Sequence, residues 1–347
     1  MLSKRFVNDH ISILKLNNVS LEAKKTIEDK IKNRTYAFEQ VKCCICSGTS
    51  FEHLADKDRY GLYVPTVICK DCGLVQTNPR MTQKSYEEFY NNEYRKLYGG
   101  AESSPKALFE NQYNTLGLRI HSFLTSNLNL DLRNELIVEV GCGAGGTLKY
   151  FRDQGSEIFG LDLGLKEVEY GRKEHNLNLE HGTIEKFKLL GRKPKIIIYC
   201  HVLEHVMNPV EELKKLKEYI GPETFVYIEV PGIKNLTQSY DENLLLYLQN
   251  AHIYHFTLNT LSRIAVLAGF KLVKGDESIY SVFTQGNSVL IENKFKSDYP
   301  STVKFLKYLE VARLLPLTPY KLKKRIKKLT RNSQKVLKRI AGTKVCI

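Results

Sequence analysis

Between residues 136 and 230 the apolar positions come in short, nearly unbroken runs separated by stretches of helical spacing. Residues 136–140 (Leu-Ile-Val-Glu-Val), 157–161, 195–200 and 225–230 predict four strands, and residues 146–151, 165–174 and 209–219 predict helices between them. Strands that do not alternate with polar residues belong to a parallel sheet covered on both faces. The expected fold class is therefore α/β, a doubly wound, Rossmann-like, mostly parallel sheet over residues 131–295. Residues 257–294 predict one helix and then strands near Phe270 and Val289. Upstream, residues 20–40 predict a surface helix, and Thr77-Asn78-Pro79-Arg80 marks a turn. From Ser85 to Tyr98, Tyr86, Tyr90, Tyr94 and Tyr98 fall on one helical stripe. That stripe is either an amphipathic helix packed on its neighbour or a lid whose phenols reach a ligand. The expected division is a helical segment (1–40), a ribbon (41–80), a helical lid or linker (81–130), the α/β domain (131–295) and a basic helical tail (296–347).

Composition narrows the class. With 347 residues, 42% hydrophobic and 26% charged, wholesale disorder is excluded. No apolar run approaches the roughly 18 residues of a membrane span, and the first residues lack the apolar core of a secretory signal. A cytoplasmic location follows as the expectation. The net charge of +14 is unevenly placed: residues 301–347 hold fourteen Lys or Arg against Glu310, which leaves 38 basic and 37 acidic side chains in residues 1–300. A neutral body argues against nucleic acid as the partner. In the tail, Leu322, Ile326, Leu329, Leu337 and Ile340 recur at near-helical spacing among Lys and Arg. Residues 319–340 thus predict a cationic amphipathic helix, suited to an anionic membrane surface or to packing on the body.

Cys43 and Cys46 form one Cys-x-x-Cys, and Cys69 and Cys72 form another. Each pair places two sulfurs on one tight turn, and two such turns complete a closed tetrahedral site for structural zinc. Such a site does no chemistry, so the ribbon is expected to brace the fold.

Gly141-Cys142-Gly143-Ala144-Gly145-Gly146 follows the first strand and opens a helix, and Asp162 ends the next strand. This pattern suits a dinucleotide or S-adenosylmethionine, with Asp162 on ribose hydroxyls. Glu139, two residues before the loop, favours the second. A carboxylate there repels a pyrophosphate and attracts the positive charges of S-adenosylmethionine.

His201-Val202-Leu203-Glu204-His205 follows the third strand, and His252-Ile253-Tyr254-His255 lies in the insert after the fourth. Ligands of open parallel sheets bind at the C-terminal ends of strands, so these segments can converge on one pocket. Taken with residues 136–150, Gly160-Leu161-Asp162, the two Cys-x-x-Cys pairs, Cys72-Gly73-Leu74-Val75 and Asn78-Pro79-Arg80, they resemble class I S-adenosylmethionine-dependent methyltransferases. Within that family the chain is similar to the zinc-ribbon branch of bacterial surface-polysaccharide and deoxysugar pathways, over about residues 43–293. The resemblance implies that Glu139, Gly141, Cys142, Gly143 and Gly145 line the methionine part of the donor. Asp162 would hold the ribose, Leu163 and Ile184 would flank the adenine, and Cys200 would complete the donor contacts. Thr183 stands where the family often has an acid.

A hydroxyl acceptor needs its proton removed before it attacks a methyl group, and a histidine suits that task. The expectation is that His201 or His252 is the base, with His205 and His255 orienting it or the acceptor. The branch's sugar C-methyltransferases usually carry His-Glu before the latter segment, whereas Asn250-Ala251 stand here. The implied reaction is O-methylation of a sugar hydroxyl on a surface glycan or its lipid- or nucleotide-linked precursor. Alternatives are C-methylation of a nucleotide-linked keto sugar, methylation of RNA, and a scaffold with a vestigial nucleotide fold.

Overall fold

The computed structural model describes residues 1–99, 104–186, 191–286 and 296–327. The N-terminal half begins with α1 (Asn18–Lys32), shorter than the sequence suggests and capped by the Asn17 side chain, which accepts from Ser20 N. Strands β1 (Phe38–Glu39), β2 (Phe51–Lys57), β3 (Tyr63–Cys69), β4 (Val75–Thr77) and β5 (Arg80–Met81) follow. The tyrosine stripe is two helices, not one: α2 (Gln83–Asn92) and α3 (Tyr94–Gly99) meet at Glu93. That junction is anchored, because the buried Glu93 carboxylate accepts from Lys30 Nζ and the Tyr36 hydroxyl. Next come α4 (Pro105–Asn111), one stretch of π-helix (Gln112–Gly117) and α5 (Leu118–Leu128).

The α/β region then runs β6 (Leu136–Val140), α6 (Gly146–Asp153), β7 (Glu157–Asp162), α7 (Leu165–His175), β8 (Leu179–His181), β9 (Ile196–Cys200), α8 (Pro209–Lys215) and β10 (Phe225–Glu229). The insert holds α9 (Leu244–Tyr247) and β11 (Tyr254–His255), and then come α10 (Leu258–Leu267), β12 (Phe270–Gly275) and β13 (Tyr280–Gln285). The last strand sits earlier than expected; Val289 lies outside the described residues. The third predicted helix ends at Lys215, and Leu216–Glu218 finish it as a 3-10 turn.

The seven-stranded sheet has the order β12-β13-β10-β9-β6-β7-β8. The five strands β10, β9, β6, β7 and β8 are parallel, and β13 and β12 close the edge antiparallel. Period-two alternation divides their side chains between two cores. In β9, Ile196, Ile198 and Cys200 face one core with Ile137, Leu148 and Phe151, while Ile197 and Tyr199 face the other. The strand order reverses between β6 and β9, which opens a crevice at their C-terminal ends. Both the glycine loop and the histidine loop leave the sheet there.

The ribbon is not an independent bead. Its four-stranded antiparallel sheet has the order β11-β4-β3-β2, so the insert supplies an edge strand, Tyr254 opposite Gln76 and His255 opposite Val75. Tyr36, Leu62, Leu74 and Phe89 share one core with Leu161, Tyr199 and Val226 of the large sheet. A third core lies under the other face of the ribbon sheet and joins Leu54, Ile68 and Val75 to Leu244 and Leu248.

That third core also corrects the picture of the tail. Residues 296–317 are not a loose appendage: α11 (Tyr299–Ala312) buries Thr302, Leu306, Leu309 and Ala312. Leu306 and Leu309 are fully buried, and burial of each contributes roughly 1.5–3 kcal/mol. The cationic helix starts at 319 and is described to 327; Leu329, Leu337 and Ile340 lie outside the described residues.

The start of α11 is clamped to the second cysteine turn. Asp298 N donates to Cys72 O at 3.1 Å. Gly73, at φ +86°, lies so close that a Cβ would run into the Asp298–Tyr299 backbone. Gly73→Ala therefore meets a left-handed backbone and a backbone clash together. It is expected to cost about 1–3 kcal/mol, seen as a lower melting temperature with faster proteolysis within α11. A variant that melts with the wild type and is cut no faster refutes the clamp.

Candidate active site

The glycine loop is shaped by backbone geometry. Gly141, Gly143 and Gly145 have φ of +76°, +53° and +80°, values that glycine adopts without penalty. A Cβ on Gly141 would also strike Val202 of the histidine loop, so the two loops touch. Asp162 fixes the loop from β7, its Oδ2 accepting from Gly143 N at 2.7 Å and its Oδ1 from Gly164 N at 2.6 Å. Gln112, in the π-helical turn, covers it from the other side. Its Nε2 donates to Cys142 O at 2.9 Å, and its Oε1 accepts from Gly146 N at 3.2 Å. Nothing in the sequence pattern singled out Gln112; it is found only by following the loop's amides to their partners.

Beneath the loop, Glu139 is buried and its Oε2 has no hydrogen-bond partner among the described residues. Burial, with Asp162 nearby, pushes its carboxyl well above the usual carboxylate range. A buried carboxyl that lacks a partner is costly by itself and favourable beside a cation. This environment fits S-adenosylmethionine. Its ammonium can partner the orphan oxygen, and each Asp162 oxygen keeps a second lone pair for a ribose hydroxyl.

The other expected donor contacts are distributed unevenly. Leu163 is 71% exposed beside Asp162, a large apolar side chain held out in solvent. Ile184 is fully buried in the core and Thr183 is exposed, so of the expected adenine flank only Leu163 offers apolar surface. Cys142 and Cys200 are buried, and burial raises both thiols well above their usual value.

The four histidines fall in one neighbourhood, organised by a residue that sequence reasoning quoted but did not assign. Glu204 is buried, and its Oε1 lies 3.3 Å from His201 Nδ1, 3.7 Å from His205 Nε2 and 3.9 Å from His252 Nε2. His201, at φ +56°, also lies 3.5 Å from Glu229 Oε1. Burial works against its charge, but Glu204 and Glu229 overcome it and hold the imidazolium up to about 10. Glu229, although burial raises it, is kept below the usual carboxylate range by His201 and Arg119. Arg119 pairs with Glu229 and covers the Tyr280 ring at 5.1 Å. An acid at the end of β10 could have been noticed in the sequence; Arg119, on a helix far upstream, carried no signal.

His205 differs. Burial lowers its pKa below the ordinary histidine value, with His201 adding to the effect and Glu204 opposing it. Its Nδ1 lies 2.8 Å from Ala251 O, and a carbonyl only accepts, so Nδ1 carries the proton and Nε2 keeps a lone pair. The Tyr90 hydroxyl lies 2.6 Å from the same Nδ1. The tyrosines thus form a packed ladder, Tyr90 stacked on Tyr94 at 4.5 Å, with Tyr86 donating to Ala251 O and Tyr98 to Asn250 Oδ1. Packing and site contact are combined in one stripe.

His252 and His255 are buried. Gln249 Nε2 sits 3.0 Å from His252 Nδ1, and burial together with the neighbouring histidines holds this ring neutral, well below its ordinary pKa. Burial alone lowers His255 to about 3, and neither of its nitrogens has a partner among the described residues. This runs against the expectation that His201 or His252 is the base: the first is held as a cation and the second has almost no exposed surface.

The cysteines Cys43, Cys46, Cys69 and Cys72 do converge, their sulfurs all within 4.8 Å of one another. Cys43 Sγ lies 3.4 Å from Cys72 Sγ, and Cys46 Sγ 3.5 Å from Cys69 Sγ. These separations are far beyond a disulfide and close to the edge of a tetrahedron with sulfurs about 2.3 Å from its centre. The four residues therefore fit a zinc ion.

Replacing Glu139 with Gln keeps the shape and removes the negative charge. Titration calorimetry is expected to show S-adenosylmethionine bound about tenfold more weakly, or about 1.4 kcal/mol. Unchanged affinity would place Glu139 away from the donor's cations.

Comparison with known proteins agrees with this geometry. Residues 112–274 match the family model described as "Methyltransferase domain". A curated relative, the ubiquinone biosynthesis O-methyltransferase of Histophilus somni (strain 2336), is 27% identical over 101 residues. The match takes in 26% of this chain and 42% of the relative, so it spans under half of that protein's length. Among solved structures, the 1,6-didemethyltoxoflavin-N1-methyltransferase of Burkholderia thailandensis is similar at 13% identity and TM-score 0.45, over 63% of this chain and 98% of its own. A TehB-like S-adenosylmethionine-dependent methyltransferase from Corynebacterium glutamicum is similar at 16% identity and TM-score 0.36, over 58% of this chain and 100% of its own. Residues 112–274, with the glycine loop, Asp162 and the histidine loop among them, are thus the part of the chain that is similar to a methyltransferase domain.

Proposed function

We propose that the chain transfers a methyl group to a hydroxyl of a sugar, on a surface glycan or its precursor, with His205 as general base. The observation that carries this reading is the state of His205: neutral, with Nδ1 committed to Ala251 O and Nε2 left with its lone pair. Bound S-adenosylmethionine would supply a methyl group on a positively charged sulfur. His205 Nε2 takes the proton of the acceptor hydroxyl as the oxygen attacks. Glu204 faces the imidazolium that results, and Tyr90 and Ala251 hold the ring in place. His201, with both ring N–H groups facing Glu204 and Glu229, is a cation that offsets these carboxylates beside the site. Ala251 leaves no acid at its position for enolisation, which supports an oxygen over a carbon acceptor; the curated relative, an O-methyltransferase, points the same way. Zinc on the four cysteines would brace the ribbon, with no part in the chemistry.

Incubation of the protein and S-adenosylmethionine with a panel of nucleotide- and lipid-linked sugars is expected to give a product 14 Da heavier whose methyl is released by ether cleavage. A methyl resistant to ether cleavage, made only from keto sugars, would replace oxygen by carbon as the acceptor. His205→Gln is expected to lower kcat by roughly 10²- to 10⁴-fold with donor affinity intact. Because burial lowers its pKa, the acid limb of kcat/KM is expected below pH 6.5. A limb at or above that value assigns the base elsewhere. For the ribbon, elemental analysis is expected to find one zinc per chain, and its chelation to lower the melting temperature.

A further inference from the structure

The last described turn of the chain presents apolar side chains that the body does not use. The inner face of α11 is buried in the third core, while on its outer face Val311 is 61% exposed. In the turn that follows, Leu314 is 69%, Leu315 46% and Leu317 53% exposed, and Leu322 on the 319–327 helix is 45% exposed. The turn is rigid. Lys321 Nζ donates to the carbonyls of Ala312, Arg313 and Leu315 at 3.2, 2.9 and 2.6 Å. Thr318 Oγ1 donates to the buried Glu242 at 2.6 Å, and Leu314 N to Val311 O at 3.0 Å. These leucines are therefore held out in water by a hydrogen-bonded scaffold.

Their surroundings indicate what would cover them. Lys304 and Lys307 on α11 and Lys323, Lys324 and Arg325 on the 319–327 helix are exposed, Lys324 being paired with Asp241. Residues 301–327 carry eight Lys or Arg and one acid, Glu310, which is itself paired with Arg5 and Arg313. Protruding apolar side chains on a segment with an excess of exposed cations match the boundary between anionic headgroups and acyl chains. No helix among the described residues is long and apolar enough to cross a membrane, so the contact would be superficial. We propose that Leu314, Leu315, Leu317 and Leu322, together with these cations, dock the protein on an anionic lipid bilayer. The surface differs from the one the sequence suggested. Its apolar tip is the turn before the cationic helix, fixed to the ribbon side of the molecule through α11. The inference stands apart from the acceptor reading, since docking needs no turnover.

Full-length protein is mixed with vesicles of phosphatidylcholine alone or with one quarter phosphatidylglycerol and separated by flotation. Binding to the anionic vesicles at least tenfold above the neutral ones is expected. The double variant L314Q/L317Q, which leaves all charges in place, is expected to lose at least tenfold of that binding while its melting temperature and donor affinity match the wild type. Lys323→Gln with Arg325→Gln is expected to weaken binding in the same direction and to flatten its salt dependence. No binding of the wild type to anionic vesicles, or undiminished binding of L314Q/L317Q, overturns the proposal. So does a dimer, seen by sedimentation, that L314Q/L317Q abolishes in a protein that ignores vesicles, because a second copy would then cover the leucines.

Discussion

Eight residues of the insert, 249–256, hold the molecule together as one device. Tyr254 and His255 pair with β4 and so complete the ribbon sheet. Earlier in the chain, Asn250 N donates to the buried Asp58 at 3.0 Å, and Ile253 N donates to Glu204 O at 2.9 Å. Ala251 O holds His205 and receives the Tyr86 hydroxyl. One short stretch of backbone therefore sets the edge of the ribbon, the height of the tyrosine ladder and the tautomer of the candidate base. Positioning of this kind supplies most of the acceleration in a displacement reaction, where little covalent chemistry is asked of the protein.

Charge is arranged around the same stretch with little tolerance. Glu204 and Glu229 are both buried and share the His201 imidazolium; Glu204 otherwise faces the neutral His205 and His252 rings at 3.7 and 3.9 Å, and Glu229 is held by Arg119 and the Tyr227 hydroxyl. The result is a division of labour among like side chains. Carboxylates on two sides turn His201 into a cation, whereas burial lowers the pKa of His205 against the opposing pull of Glu204 and the Ala251 carbonyl. Glu139 and Glu204 each keep one buried oxygen without a partner among the described residues, and Glu139 does so at the place where the family resemblance puts a cation.

The sheet was legible because its strands are buried on both faces, so residues 136–140 and 196–200 carry a signal stronger than any local propensity. The short edge strand β8 and the bent pair β12–β13 were harder, since edge strands expose one face and shift with their turns. The glycine loop, Asp162 and the cysteine pairs could be read from spacing, because chemistry fixes those spacings. Glu204, Arg119, Tyr90 and Gln112 owe their places to tertiary packing: each meets a residue from another element, and no sequence period connects Arg119 to Glu229 or Tyr90 to His205. The proposal of His205 in place of His201 as base has the same origin, since it depends on which carboxylates lie within 4 Å. The docked start of the tail was missed because charge counting hid the apolar face of α11, where Leu306 and Leu309 lie among lysines.

The borrowed strand also bears on how the chain is made. During synthesis residues 51–77 leave the ribosome early and can pair as β2, β3 and β4, but the outer edge of β4 stays open until 254–255 arrive. An open edge is a template for wrong partners. The four clustered cysteines, Cys43, Cys46, Cys69 and Cys72, are all in hand by then. Metal capture at that stage would give the nascent ribbon a fixed shape, and β4 a register to offer, long before the strand it waits for has been translated.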